Sequence, residues 1–115
     1  MEIRILKEPI RKTELADLAR AQFGDMVKAV VDVAQGRVAI GGELHADDES
    51  LLLDAGSRQE DLWGINLYPD MSDEEWVEFD SMINIRPSLG NRSRGVELPA
   101  VREKIMDIIK KWVVD

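Results

Sequence analysis

Residues 62–69, LWGINLYP, and residues 76–87, WVEFDSMINIRP, are two apolar-rich segments separated by the turn-forming run 70–75. Alternation of apolar and polar residues with a period of two is typical of β-strands, so the two segments predict a hairpin. If Ile65 pairs with Phe79, each face of the hairpin has one character. The apolar face then holds Trp63, Ile65, Leu67, Val77, Phe79, Ile83 and Ile85. The polar face holds Asn66, Tyr68, Glu78, Asp80, Asn84 and Arg86.

Three further strands are predicted on the N-terminal side of this hairpin. A short one includes Ile3 and Ile5 and ends before Pro9. Residues 27–33 and 38–40 form a second hairpin around the turn 34–36, because their valines and isoleucines alternate along the chain. Val30 lies on the face opposite to its valine and alanine neighbours. The strand of residues 27–33 is therefore expected to be covered on both sides and to lie centrally in the sheet.

Three helices complete the prediction. Thr13 can cap the first, which Gly24 ends, and Asp47 can cap the second, which Gly56 ends. The third begins at Pro99 and keeps helical spacing through Val101, Ile105, Ile108, Ile109 and Trp112. The order β-α-β-β-α-β-β-α predicts an α+β fold with a mostly antiparallel sheet of about five strands, and three helices packed on one face.

Composition limits the classes of function. The 115 residues suit one domain over residues 1–115, and 44% hydrophobic residues predict a folded chain. The sequence has no cysteine and no apolar run of about 20 residues, which argues against disulfides and membrane spans and favours a cytoplasmic protein. A net charge of −8 repels polyanions, so nucleic acid is not an expected partner.

A basic loop is the first candidate site. Arg86, Arg92 and Arg94 lie close together in sequence with Asn91, two glycines and small hydroxyl groups. Guanidinium groups and backbone amides bind carboxylate or phosphate through forked hydrogen bonds, so this loop is a candidate site for a small anionic ligand. In the alternative reading, the arginines pair with acidic residues as structural clamps, the candidates being Glu43, Glu60, Asp61 and Asp80.

The single histidine is the second candidate. His45 stands between Glu43 and Asp47 at a predicted strand-to-helix turn, which is the raw material of an acid–base pair or a metal site. No second histidine is present and Asp47 has a capping role, so we predict no metal site and no cofactor. The polar face of the second hairpin is expected first as a solvated sheet face, but Asn66 and Asn84 stand in predicted strands, where asparagine is unfavourable, which marks a site or a satisfied buried amide.

No standard catalytic motif is present, so two functions stay open. One is a non-enzymatic binding or protein-interaction module, working as a homodimer or with a protein partner through the exposed sheet face or the basic loop. Trp76 is most simply a core or half-buried anchor, but on the polar side of the predicted register it could belong to such a surface. The other is a small enzyme or anion binder in which the three arginines hold the ligand, while His45 with Glu43 or Asp61 moves protons.

Two long segments, GGELHADDESLLLDAGSRQEDLWGINLYPD and FDSMINIRPSLGNRSRGVELP, resemble a family of small bacterial proteins of unknown function. The ordered strings GGELHAD, EDLWGINLYP and NIRP-x-x-GNRS carry the resemblance, which extends from about Met26 onward. It implies a bacterial cytoplasmic protein that acts as a stand-alone domain. It transfers no activity, ligand or site residue.

Overall fold

The structure, a computed structural model, describes residues 2–115 and the side chains of all of these except Asp73 and Glu74. Its α-helices are α1 (Lys12–Gln22), α2 (His45–Asp54) and α3 (Pro99–Trp112). Its strands are β1 (Arg4–Ile5), β2 (Ile10–Arg11), β3 (Val27–Asp32), β4 (Arg37–Ile40), β5 (Leu62–Leu67), β6 (Val77–Glu78) and β7 (Val113–Val114). Short 3₁₀ helices span Gln59–Asp61, Asp73–Trp76, Met82–Asn84 and Pro87–Leu89. The predicted α+β class is confirmed.

The main sheet has the strand order β1-β4-β3-β5-β6, and all of its pairs are antiparallel. β3 is central, as the position of Val30 predicts. Leu67 pairs with Val77 in the hairpin of β5 and β6, which is the register set by placing Ile65 opposite Phe79. The alternating side chains of these strands therefore assign most of the sheet correctly.

The second arm of this hairpin is the main error in the strand prediction. β6 ends at Glu78, and the chain then forms a 3₁₀ turn at Met82–Asn84. The Ser81 hydroxyl caps this turn by accepting a hydrogen bond from the Ile83 amide at 3.3 Å. Ile83 consequently packs on the other face of the sheet, and Ile85 is 38% exposed, so neither joins the predicted apolar face.

Helices cover both faces of the sheet, not one as predicted. α1 and α3 pack on one face through Leu15, Ala19, Ile105 and Ile109. α2 packs on the other through Leu52, which meets the buried side chains of Val30, Ala39 and Leu62. Because Val30 and Ala39 point away from the larger core, they require a second apolar layer, and α2 supplies it.

The helix starts also differ from the prediction. Thr13 lies inside α1, whose N-cap is Arg11, and no side chain caps it. The N-cap of α2 is Leu44, and Asp47 is the third residue of that helix, where its carboxylate accepts the Leu44 amide at 3.2 Å. Asp47 thus bonds back to the N-cap amide from the third position of the helix and is not itself the N-cap residue that the sequence predicts.

Two features at the ends of the chain have weak sequence signals. β2 and β7 form a separate parallel pair of two residues each, joining the beginning and the end of the fold. Trp76 is 8% exposed and belongs to the larger core, with the Lys12 ammonium 4.3 Å from its ring centre. The predicted role of Trp76 at a partner surface is therefore wrong. None of the helices in residues 2–115 has the length and apolarity that a membrane crossing requires.

Candidate functional site

A pocket of about 560 Å³ opens on the face of the sheet that carries α2. The N-terminus of α2 forms one wall, the polar ends of β3, β5 and β6 form the floor, and the segment 80–83 closes the far side. We call it the His45 pocket. It exists because α2 covers only part of this sheet face and the chain leaves β6 early.

The floor is a row of three cross-strand neighbours. Lys28 on β3 pairs with Asn66 on β5, and Asn66 pairs with Glu78 on β6. The Asn66 amide donates to Glu78 Oε1 at 2.8 Å, and the Tyr68 hydroxyl donates to the same oxygen at 3.2 Å. Asn66 Oδ1 is buried and has no hydrogen-bond partner, which leaves an acceptor unsatisfied beside the pocket.

His45 is held at the pocket wall in a defined state. Its Nε2 lies 2.8 Å from the carbonyl oxygen of Ile65. Because a carbonyl accepts only, Nε2 carries the proton and Nδ1 keeps its lone pair. Burial lowers the pKa of His45 from its ordinary value, with a further lowering by the charge of Lys28, and this outweighs the raising effects of the Ile65 carbonyl, the Asn66 side chain and Asp80. The imidazole is thus neutral at pH 7.

Gly64 makes room for this arrangement. A methyl group on its α-carbon would lie 2.6 Å from Ser81 Oγ and 3.2 Å from His45 Cδ2. Both distances are shorter than ordinary contacts between carbon and its neighbours. The ring of His45 and the segment that carries Ser81 therefore meet over a glycine in the middle of β5, where any side chain would displace them.

The pocket carries charges of both signs. Arg94 Nε donates to Asp80 Oδ1 at 2.6 Å, and its NH1 lies 3.7 Å from the sulfur of Met82. Lys28 forms no ion pair with the described side chains. The pocket therefore combines one neutralised pair with the separate charges of Lys28 and Glu78. The expected clamp between an arginine and Asp80 is present.

Arg86 lies outside the His45 pocket. Its guanidinium donates to the Leu62 carbonyl, lies 3.6 Å from a Glu49 oxygen and stacks 5.0 Å from the centre of the Trp63 ring. Buried contacts of this kind position the chain segment after the 3₁₀ turn. The structural reading fits Arg86, although its acidic partner is Glu49 and not one of the four that the sequence suggests.

The buried asparagines hold the backbone below the pocket. Asn84 accepts from the Gly64 amide at 2.8 Å and donates to the Gly64 carbonyl at 3.0 Å, so its side chain replaces a neighbouring strand. Asn91 donates to the carbonyls of Asn84 and Gly95, each at 2.8 Å. Both are satisfied buried amides, one of the two readings that the sequence leaves open for Asn84.

The remaining candidates do not meet at the pocket. Glu43 and Arg92 are exposed, and Asp61 lies beyond the far end of β5, where its carbonyl accepts the Val33 amide. The Glu97 carboxylate accepts the amides of Arg92 and Ser93 at 2.6 and 2.8 Å, and these bonds lower the pKa of Glu97. A carboxylate of the chain itself thus occupies the amides of the basic loop.

Four polar residues of the pocket are not among the candidates that the sequence suggests: Lys28, Tyr68, Glu78 and Ser81. Strand position is the one sequence feature that groups these side chains. Lys28 shares a strand face with Val30, and Tyr68 and Glu78 share a face with Asn66. A strand face that alternates with the buried one and carries charged side chains is typical of a solvated surface. Placing a helix over half of it turns the remaining half into a pocket.

A buried carboxyl stands behind the pocket wall. Asp48 on α2 is fully buried, its Oδ1 accepts the Gly42 amide at 2.9 Å, and its Oδ2 has no partner. Burial raises the pKa of Asp48 to about 7. The Gly42 α-carbon lies so close that a methyl group there would be 2.9 Å from the Asp48 oxygen. A glycine at position 42 is thus required by this contact.

Within residues 2–115, no group of three or more metal-ligating side chains comes together among the described ones. The family described as "Protein of unknown function (DUF5674)" matches residues 4–112. No curated protein and no solved structure matches the chain. The geometry of the pocket is accordingly the basis for inferring a function.

Proposed function

Since the chain belongs to this family of proteins of unknown function, we propose from its geometry that it is a binding domain for a small polar ligand. The ligand occupies the His45 pocket. The observation that carries the proposal is the convergence of Lys28, His45, Asn66 and Glu78 from four different elements on one cavity of about 560 Å³. The Asn66 amide donates to Glu78 Oε1 at 2.8 Å and fixes the carboxylate of this set at the pocket floor.

The size and lining of the pocket suit a small molecule. Ligand pockets commonly measure about 300–1,000 Å³ and combine apolar walls with a few placed polar groups. Here Leu44, Met82 and Ile83 supply apolar wall, and the Lys28–Asn66–Glu78 row supplies the polar groups. A ligand with a polar head and a short apolar body complements both parts.

The site favours binding over catalysis. In acid–base catalysis a carboxylate often orients the histidine and stabilises its charged form. The partner of His45 is instead the neutral carbonyl of Ile65, and burial opposes the charged form. The Ser81 hydroxyl accepts from the Ile83 amide at 3.3 Å, and no described side chain accepts its proton as a base would. These contacts support recognition through a fixed, neutral imidazole.

A thermal-shift screen against carboxylates, phosphates, nucleotides and amino acids tests the proposal. A ligand at 100 times its dissociation constant adds about 2.7 kcal/mol, which raises the melting temperature by several degrees. The shift should disappear in Lys28→Met and persist in Lys104→Met, a control on the exposed side of α3. An equal shift in both variants would place the ligand elsewhere, and no shift with any class would contradict the proposal.

A protein partner is the second candidate. Leu44 and Met82 at the pocket rim are 59% and 64% exposed, and clustered exposed apolar side chains favour docking of another chain. For a homodimer, sedimentation at micromolar concentration should give twice the monomer mass, and Met82→Asp should return the monomer. A wild-type protein that sediments as a monomer would remove the homodimer.

A further inference from the structure

The two ends of the pocket floor have opposite character. Lys28, Asn66 and Glu78 form a straight row across β3, β5 and β6. Neighbouring strands lie about 4.8 Å apart, so the backbones at the two ends are roughly 10 Å apart. Flexible lysine and glutamate side chains can close on a molecule that lies over Asn66 between them.

Both end groups have unused capacity. Lys28 forms no ion pair with the described side chains, and its ammonium lies 5.3 Å from the centre of the Phe23 ring. Glu78 receives two neutral donors at Oε1, from Asn66 and Tyr68, and no described cation pairs with it. Arg94 and Asp80 neutralise each other. The available charges are thus one cation and one carboxylate.

We infer that the ligand is a zwitterionic amino acid, whose carboxylate lies towards Lys28 and whose ammonium lies towards Glu78. This inference rests on the proposed function and specifies the class of ligand. A molecule with one charge of each sign satisfies both ends of the row without leaving a net charge in the pocket.

The surroundings of each end strengthen the assignment. The N-terminus of α2 is a pocket wall, but Asp47 accepts the Leu44 amide there and Asp48 shares the first turn, so the attraction for a ligand carboxylate comes from Lys28. Asn66, 6% exposed, donates to Glu78 Oε1 at 2.8 Å and so holds that carboxylate at the pocket floor, where a ligand ammonium can meet it. Lys28 and Glu78 thus favour ligand groups of opposite charge.

The charge balance also separates an amino acid from a phosphate ester. A phosphate dianion would meet the carboxylate of Glu78, which no described cation pairs with, in the same pocket and the net charge of −8 of the whole chain. Leu44, Met82 and Ile83 form the rest of the wall. An amino acid with an apolar side chain places that side chain against them.

Calorimetric titration with a matched set of compounds tests the inference. Leucine carries both charges, 4-methylpentanoate only the carboxylate, 3-methylbutylamine only the ammonium, and inorganic phosphate only negative charge. We expect leucine to bind at least tenfold more tightly than each of the other three. Equal or tighter binding of 4-methylpentanoate or phosphate would overturn the zwitterion and leave the proposed binding function standing. Binding of none of the four would overturn the inference, and the wider thermal-shift screen would decide the proposed function separately.

Two substitutions test which end of the Lys28–Asn66–Glu78 row binds which charged group of the ligand. Glu78→Gln keeps an acceptor for Asn66 and Tyr68 but removes the charge, so leucine should lose its advantage over 4-methylpentanoate. Lys28→Met should remove its advantage over 3-methylbutylamine. Glu103→Gln, an exposed change on α3, should leave both ratios unchanged. Ratios that stay at the wild-type value in Glu78→Gln and Lys28→Met would overturn the orientation.

Discussion

The imidazole of His45 and the backbone of Ile65 are joined by a hydrogen bond of 2.8 Å from Nε2 to the carbonyl oxygen. This bond ties the N-terminus of α2 to the central part of β5 and thereby fixes the width of the pocket. It also leaves Nδ1 as an acceptor in the neutral ring. The hydrogen bond that positions the imidazole of His45 therefore also decides which ring nitrogen carries the proton.

We expect the imidazole of His45 to titrate below its ordinary pKa of 6.5, because burial and the Lys28 ammonium both oppose protonation. The folded pKa is then lower than the unfolded one. Stability from this group is present above 6.5 and is lost as the pH falls through the folded pKa. NMR titration reports it without overlap, since the chain has one histidine. A midpoint at or above 6.5 would contradict the burial argument.

Asp48 should have the opposite effect on stability. Its pKa is raised from 3.8 to about 7, so the folded state binds the proton more tightly than the unfolded state. The stabilisation is fully present below 3.8 and is lost as the pH rises towards 7, by an amount on the order of a few kcal/mol. Urea unfolding of Asp48→Asn at several pH values should lack this slope, and an unchanged slope would assign it to other groups.

Gly64→Ala should destabilise the fold by about 1–3 kcal/mol, the usual cost of overpacking, and weaken ligand binding. The added methyl group meets Ser81 and His45 at distances that neither can keep. Gly95→Ala is the matched control, because its methyl group would lie 3.4 Å from the nearest atom, the Phe79 carbonyl oxygen. Denaturant midpoints compare the two, and equal midpoints would show that the space over Gly64 is not restricted.

Asn84→Ala should be among the most destabilising polar substitutions, because it leaves the buried amide and carbonyl of Gly64 unpaired. Each unsatisfied buried group costs about 1–3 kcal/mol. Arg92→Ala changes an exposed side chain of the same loop region and should alter stability by less than about 0.5 kcal/mol. A loss of similar size in both would show that Asn84 does not replace a strand.

Local sequence patterns predict the helices and most strands well, but they do not predict which face of the sheet each helix covers. Alternation places β3, β4, β5 and the Leu67–Val77 register correctly, because one face of each strand must be buried. The end of β6 depends on the side chains of Ser81 and Asn84 bonding to the backbone, which alternation does not encode. The pair of β2 and β7 joins residues about a hundred positions apart, and no local signal marks it.

The same limit applies to the site. His45, Asn66 and Arg94 are suggested by rarity, by an unfavourable strand position and by charge, and they do line one pocket. Lys28 and Glu78 are not, because a charge on an alternating strand is typical of a solvated face. Only the partial cover by α2 makes that face a cavity. The spread of Arg86, Arg92 and Arg94 to three surroundings likewise depends on the turn that follows β6.

The most direct measurement of the central claim is an NMR titration of the ¹⁵N-labelled protein with leucine, mapped residue by residue. Leucine should give saturable amide shifts confined to the His45 pocket, with the largest at Lys28, His45, Asn66 and Glu78, and these shifts should be lost in Lys28→Met. Shifts centred on the groove between Phe79 and Met106, or amide signals unchanged by leucine and by every other compound of the screen, would contradict it.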